Sequence, residues 1–148
     1  MIYISSDHRG FDLKNYLVEK LTEKGYELTD LGPKDLDPND DYPDYVKLAA
    51  QEVQKDDQNK GIVICKNGVG ASITANKYKG IRAALSWDPK HAESSRNDDN
   101  SNVLSLPSGF ITKEQALEIT EKWLTTPFSN EERHFRRINK IKDIENEN

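Results

Sequence analysis

Cysteine occurs once in the 148 residues, at position 65, so no internal disulfide can form. Three scattered histidines do not make a zinc pattern either, so no structural metal is suggested. The chain lacks a broad basic field: its formal net charge is −5, which speaks against nucleic acid as a partner while leaving room for a local basic cluster that holds a small anion. No charged leader with a long apolar core opens the sequence, and no apolar run approaches a membrane span. These absences predict a cytoplasmic protein that binds neither nucleic acid nor membrane. Apolar residues are also scarce, at 34% against 32% charged, so subunit contacts are expected to help cover apolar faces.

What is present is alternation. Residues 1–148 are the length of one ordinary domain, and β-branched apolar runs alternate with amphipathic ones throughout, the signal of βα units around a parallel sheet. Strands are predicted over Ile2–Ser6, Tyr26–Leu31, Gly61–Cys65, Ile81–Trp87 and Asn102–Leu106. Helices are predicted over Phe11–Lys24, Tyr45–Lys55, Val69–Tyr78, Pro89–Asn97 and Thr112–Leu124, with a sixth from about Asn130 to Ile144. Gly25 and Gly80 fit helix ends, and Thr112 with Gln115 fits a capping box. Pro33–Asp44, with three prolines and five aspartates, reads as a polar loop. Trp87 and Trp123 read as core or interface aromatics.

The expected fold is a Rossmann-like three-layer α/β/α sandwich with strand order 2-1-3-4-5. In such a sheet ligands bind beyond the carboxyl ends of the strands where the winding reverses, here between the first and third strands. Asp7-His8 and Cys65-Lys66-Asn67-Gly68 follow those two strands. Gly68 and Gly70 allow positive φ and close approach of a ligand to the backbone, and the N–H groups beyond them can receive an anion or a developing oxyanion. A lone cysteine is more often a packing residue, and Asp7-His8 alone reads equally as a helix cap and a loop histidine. Their convergence at the switch point favours chemistry. Arg133 and Arg137 lie four apart on one helical face, beside His134; they fit a solvated basic face or a guanidinium clamp on a phosphate. Asn97–Asn102 lacks the glycine and glutamate of a calcium loop.

Taken together, Ser6–Phe11, Asp41–Tyr45, Gly61–Cys65 with Gly68-Val69-Gly70, Ala75–Lys77, Gly80–Ala84, Asn102–Leu104 and Arg133-His134 with Arg137 resemble the type B ribose-5-phosphate isomerase family, which includes the galactose-6-phosphate isomerase subunits. The resemblance spans nearly the whole chain. It implies reversible aldose–ketose interconversion, a small phosphorylated sugar as ligand, no cofactor, and a homodimer or tetramer with active sites at the subunit interface. It implies Cys65 as the base that shuttles a proton through an enediolate, which suits a thiol whose pKa of about 8.5 is lowered at a helix N-terminus. Asn67, Gly68, Val69 and Gly70 would supply backbone donors for the oxyanion, and Asp7 and Tyr42 would contact the sugar. His8, Arg133 and Arg137 would hold the phosphate, with the arginines reaching across from a partner subunit.

Four positions depart from the ribose-type pattern. Lys66-Asn67 replaces the usual Gly-Thr, Asp98 replaces a ring-opening histidine, Asp99 replaces an asparagine that contacts substrate, and Gly109 replaces an arginine. Asp98 would serve as the ring-opening acid if burial or Asp99 raised its pKa. Lys66 either replaces the lost positive charge or depresses the thiol pKa. A hexose 6-phosphate isomerase and a sugar-phosphate-binding relative without efficient catalysis are the alternatives. A response-regulator receiver would need an aspartate where Cys65 stands, and a small tyrosine phosphatase an arginine where Ala71 stands.

Overall fold

The computed structural model describes residues 1–148. Chain order is β1 (Ile2–Ser6), a 3-10 turn at His8–Gly10, α1 (Phe11–Glu23), β2 (Leu28–Asp30), α2 (Tyr42–Gln54), β3 (Lys60–Cys65), α3 (Val69–Ala75), β4 (Ala83–Leu85), α4 (Pro89–Asp99), β5 (Val103–Pro107), α5 (Lys113–Thr125) and α6 (Glu132–Glu147). All five strands are parallel, in the order β2-β1-β3-β5-β4.

The last two strands are therefore exchanged relative to the expected order. Burial explains the exchange: every residue of β5 is buried, whereas the three residues of β4 are only half-buried. A strand covered on both faces belongs inside the sheet, and a short, half-covered one can serve as its edge. The reversal between β1 and β3 is as expected, since β1 pairs with β2 on one side and β3 on the other.

Two apolar clusters fill the space on either face of the sheet. One joins Leu13, Leu17 and Leu21 of α1 to Ile62, Ile64, Leu104, Leu106, Ile119 and Trp123; the other joins Val46, Ala49, Ala50 and Val53 of α2 to Val63, Ala71, Ala75 and Cys65. Trp123 is thus a core residue, with its indole N–H donated to Ser101 Oγ at 2.9 Å, while Trp87 is exposed and stacks on His91. Outside both layers lies α6, which buries only His134.

Punctuation follows local chemistry. Thr112 and Gln115 form the capping box, and Gly25 takes positive φ just after α1; Gly80 also has positive φ, but α3 ends five residues earlier at Ala75, so Gly80 does not end that helix as expected. α2 begins three residues before the sequence expectation. Pro43 sits in its first turn, where the fixed φ and missing N–H suit a helix start, so the loop ends at Asp41 rather than Asp44.

Candidate functional site

The carboxyl edge of the sheet collects one set of candidate residues. Cys65 ends β3, 2% exposed, and its only polar side-chain contact is Asn67 Oδ1 at 3.8 Å. The same Oδ1 accepts the Val69 N–H at 3.0 Å, so Asn67 turns the chain into α3. The N–H groups of Gly68, Gly70 and Ala71 have no acceptor within the chain and lie just beyond the thiol in sequence. Ser108 clamps the base of this loop, donating its N–H to Cys65 O at 3.0 Å and its hydroxyl to Arg9 O at 2.9 Å.

Glycine is required at two points of the loop. Gly68 has φ of +71°, and a Cβ there would meet Leu85 Cδ1 at 2.5 Å and the backbone of Leu106 and Pro107 at 3.2 Å. A Cβ at Gly70 would collide with the ring of Tyr42, whose hydroxyl oxygen would be 2.6 Å away. The start of α2 therefore brings Tyr42 directly against the cysteine loop. Lys66 runs along Gly109: a side chain at 109 would meet Lys66 Cγ at 3.0 Å and Cε at 3.7 Å. The lysine stem thus fills the space that a side chain at 109 would take.

Across the switch point, Asp7 caps the 3-10 turn, its Oδ1 accepting from Arg9 N at 2.9 Å and Gly10 N at 3.1 Å. Burial pushes its carboxyl pKa up, against the pull of those two N–H groups. His8 donates both its backbone N–H (2.9 Å) and Nδ1 (2.6 Å) to Asp40 Oδ1. A carboxylate only accepts, so Asp40 sets the tautomer and leaves Nε2 without a partner in the chain. The two buried polar side-chain atoms that lack a hydrogen bond, Ser6 Oγ and Asp40 Oδ2, both belong to this edge. Native interiors rarely leave such atoms unpaired, and functional sites are where they do. Asp40 was not legible in the sequence, because nothing in the spacing of five loop aspartates singles it out.

The remaining candidates lie elsewhere. Asp99 stands four residues before β5, whose first residue Val103 is in register with Gly61 near the start of β3, whereas Cys65 is in register with Pro107 at the far end. The four intervening steps separate the two edges by about 13 Å. Ser129 N bonds Asn97 O at 3.1 Å, and His134 Nε2 lies 3.7 Å from Asp98 Oδ1, so the start of α6 is held at this amino edge with Arg133 and Arg137. Within one chain, His8 and the two arginines do not meet.

The carboxylates there differ. The Asn97 side chain, donating at 2.7 Å, holds the Asp98 carboxyl below its usual pKa range, and His134 and Arg133 pull the same way. The condition set for Asp98 as an acid, a pKa raised by burial or by Asp99, is not met, because its side chain is 45% exposed and paired with donors. Asp99 is the carboxyl that burial raises, with Asp98 adding to the effect. No group of three or more His, Cys, Asp or Glu side chains is arranged to hold a metal ion.

A buried thiol in a glycine loop and an Asp-His pair, both at the reversal point of a parallel sheet, define an α/β protein whose candidate ligand site lies beyond β1 and β3. Residues 2–141 match the Ribose/Galactose Isomerase family, and the chain belongs to it. It is 44% identical over 146 residues to a probable ribose-5-phosphate isomerase B of Mycoplasma pneumoniae, covering 99% of this chain and 95% of that one. Identity is 40% to the putative sugar phosphate isomerase YwlF of Bacillus subtilis, covering 99% and 98%. The crystal structure of ribose-5-phosphate isomerase B from Mycoplasma genitalium with bound ribulose-5-phosphate superposes with a TM-score of 0.96 at 44% identity, covering 99% of this chain and 97% of that one. No helix is long and apolar enough to cross a membrane.

Proposed function

We propose that this chain interconverts ribose 5-phosphate and ribulose 5-phosphate, with Cys65 carrying the proton. The observation that carries the reading is the buried thiol at the end of β3, ahead of the unpaired N–H groups of Gly68, Gly70 and Ala71. In the open-chain aldose, the thiolate takes the proton from C2. The electron pair forms the C1–C2 double bond, and negative charge develops on O1, where those N–H groups can meet it. Return of the proton from sulfur to C1, with the O2 hydroxyl proton passing to O1, gives the ketose. No atom is gained or lost.

The supporting groups follow from their positions. Asp7, Tyr42 and Asn67 border the thiol and suit the sugar hydroxyls. Lys66, running along Gly109, is a cation that this edge, which also carries His8, can present to the phosphate. Arg133, Arg137, Asp98 and Asp99 stand at the other edge of the same chain, and they join the site if a second copy sets its amino edge against this carboxyl edge. Exposed apolar residues flank both halves, Val69 and Ile73 beside the thiol loop and Ile141 and Ile144 beyond the arginines, which supports a homodimer with shared sites. This substrate class suits a cytoplasmic enzyme.

Subunit mixing tests both parts. Cys65→Ala should lower turnover by about 10²–10⁴-fold while calorimetry still detects sugar phosphate binding. Arg137→Ala should also be nearly inactive. Unfolding and refolding the two variants together should restore about a quarter of wild-type turnover, because half of the dimers are mixed and each carries one intact site. Absence of recovery would count against shared sites, and near-normal turnover by Cys65→Ala would remove the thiol as base. Wild-type binding without turnover would make the chain a sugar-phosphate-binding relative.

A further inference from the structure

The amino edge contains a cavity of about 600 Å³ between the sheet and α6, within the usual range for small-ligand sites. None of the residues assigned above to the isomerisation lines it, while Ile141, placed above on the face that meets a second copy in the proposed dimer, forms part of its rim. Its charged floor is Lys60, Arg82 and Arg96, and its apolar wall includes Phe128, Phe135 and Ile138. With Lys79 and Lys142, five cations line the cavity against the two carboxylates of Asp57 and Glu145, in a chain whose net charge is −5. Glu145 is partly committed, accepting the Gly80 N–H at 2.7 Å.

The three floor cations have no carboxylate partner. Arg82 donates to the carbonyls of Asp99, Asn100 and Gly80. Arg96 donates to the carbonyls of Ser101 and Thr126 and to the Asn100 amide oxygen. Both guanidiniums are therefore fixed by neutral groups, and Glu145, Asp57 and Asp99 act on Arg82 from nearby without bonding it. Lys60, at the first position of β3, makes neither a side-chain hydrogen bond nor an ion pair, and burial together with the charges of Arg96 and Arg82 lowers its pKa. Helix capping accounts for the two arginines. It does not account for an ammonium held half-buried beside them, where an unpaired charge is costly and an anion would relieve it.

We propose that this cavity is a second anion site, separate from the isomerisation site, that takes the phosphate group of a small organic molecule, with Lys60 as its principal ligand and Phe128 and Phe135 against the organic portion. The fixed guanidinium charges supply a preformed field, and the flexible lysine supplies the donor.

Amide NMR of the ¹⁵N-labelled protein tests this by location, using inorganic phosphate and phenyl phosphate as probes. Shifts are expected at Gly61, Arg82 and Ser101, saturating independently of any at Cys65–Gly70. Tighter binding of phenyl phosphate supports the organic portion against Phe128 and Phe135, and equal binding would overturn that part and leave a site for the free ion. Lys60→Gln should weaken the amino-edge response about tenfold or more, with isomerisation and the Cys65-loop response unchanged, while Lys60→Arg should retain binding. Because the ammonium bonds nothing in the chain, both variants should fold. Absence of amino-edge shifts in the wild type, or undiminished affinity in Lys60→Gln, would overturn the proposal.

Discussion

The two edges of the sheet are built on opposite plans. At the carboxyl edge the chain is close-packed around backbone groups: Asn67 bonds two residues on, Asp7 caps its own turn, and glycines admit Leu85 and Tyr42 where a Cβ would not fit. At the amino edge the contacts are charged, with Arg82 and Arg96 holding the end of α4 and the loop before α6, and with two carboxylates side by side. Neutral donors ahead of a thiol suit the stabilisation of an oxyanion. An open array of cations and carboxyls suits binding phosphate and moving protons at oxygen. The proposed reaction draws on both, and it is in the proposed dimer that the two plans would meet.

The sharpest way to break that comparison is at the adjacent carboxylates. If the amino edge supplies the acid that opens the sugar ring, Asp99, which burial keeps easier to protonate, should be the donor, and Asp98, held ionised by Asn97 and His134, should not. Asp99→Asn is then expected to slow the cyclic substrate by about 10²-fold, in the range of general acid catalysis, with a much smaller effect on an open-chain analogue. Asp98→Asn should act weakly on both, and Asp98→His should speed the cyclic substrate selectively. Stopped-flow rates on both forms of substrate decide it. A larger loss in Asp98→Asn than in Asp99→Asn would reverse the assignment.

A second experiment contrasts the edges through glycines of nearly equal φ. Gly68 (+71°) is hemmed in by Leu85 and the β5 backbone, whereas Gly80 (+78°) has nothing within 4 Å of a Cβ. Gly80→Ala should cost only the left-handed conformation, about 1–2 kcal/mol. Gly68→Ala adds overpacking of about 1–3 kcal/mol and should disturb the thiol loop. Urea unfolding of both variants gives the difference directly. Equal losses would mean that the carboxyl edge yields more readily than its contacts suggest.

What could be read from sequence divides by distance along the chain. Local chemistry was legible: the Thr112–Gln115 box, Gly25, the Cys65 loop and the reversal between β1 and β3 all rest on residues a few positions apart or on the βα alternation itself. Relations between distant segments were not. The exchange of β4 and β5 depends on burial of β5 from both faces, the bond of His8 to Asp40 spans 32 residues, and the seat of Lys66 against Gly109 needs two loops brought together. The lowered pKa of Asp98 rests first on its neighbour Asn97, and only the added pull of His134 and Arg133 comes from α6.

The smallest effect concerns Asp7 and has a definite sign. Its carboxyl is raised above the ordinary value of 3.8, chiefly by burial, so between that value and its folded pKa the native chain holds more protons than the unfolded chain. Its contribution to stability is then fully present below 3.8 and is lost as pH rises through the folded value. Asn at position 7 keeps an oxygen for the Arg9 and Gly10 N–H groups and carries no charge, so any change in the cap is a constant offset. The stability of Asp7→Asn relative to wild type, from urea unfolding at steps from pH 3.5 to about 6, should therefore rise with pH across this window. Asp99, raised in the same direction at the amino edge, and Asp98, lowered, cancel from the comparison because both proteins retain them. A difference that stays flat, or falls as pH rises, would show that the two N–H groups, and not burial, govern the carboxyl beside the thiol.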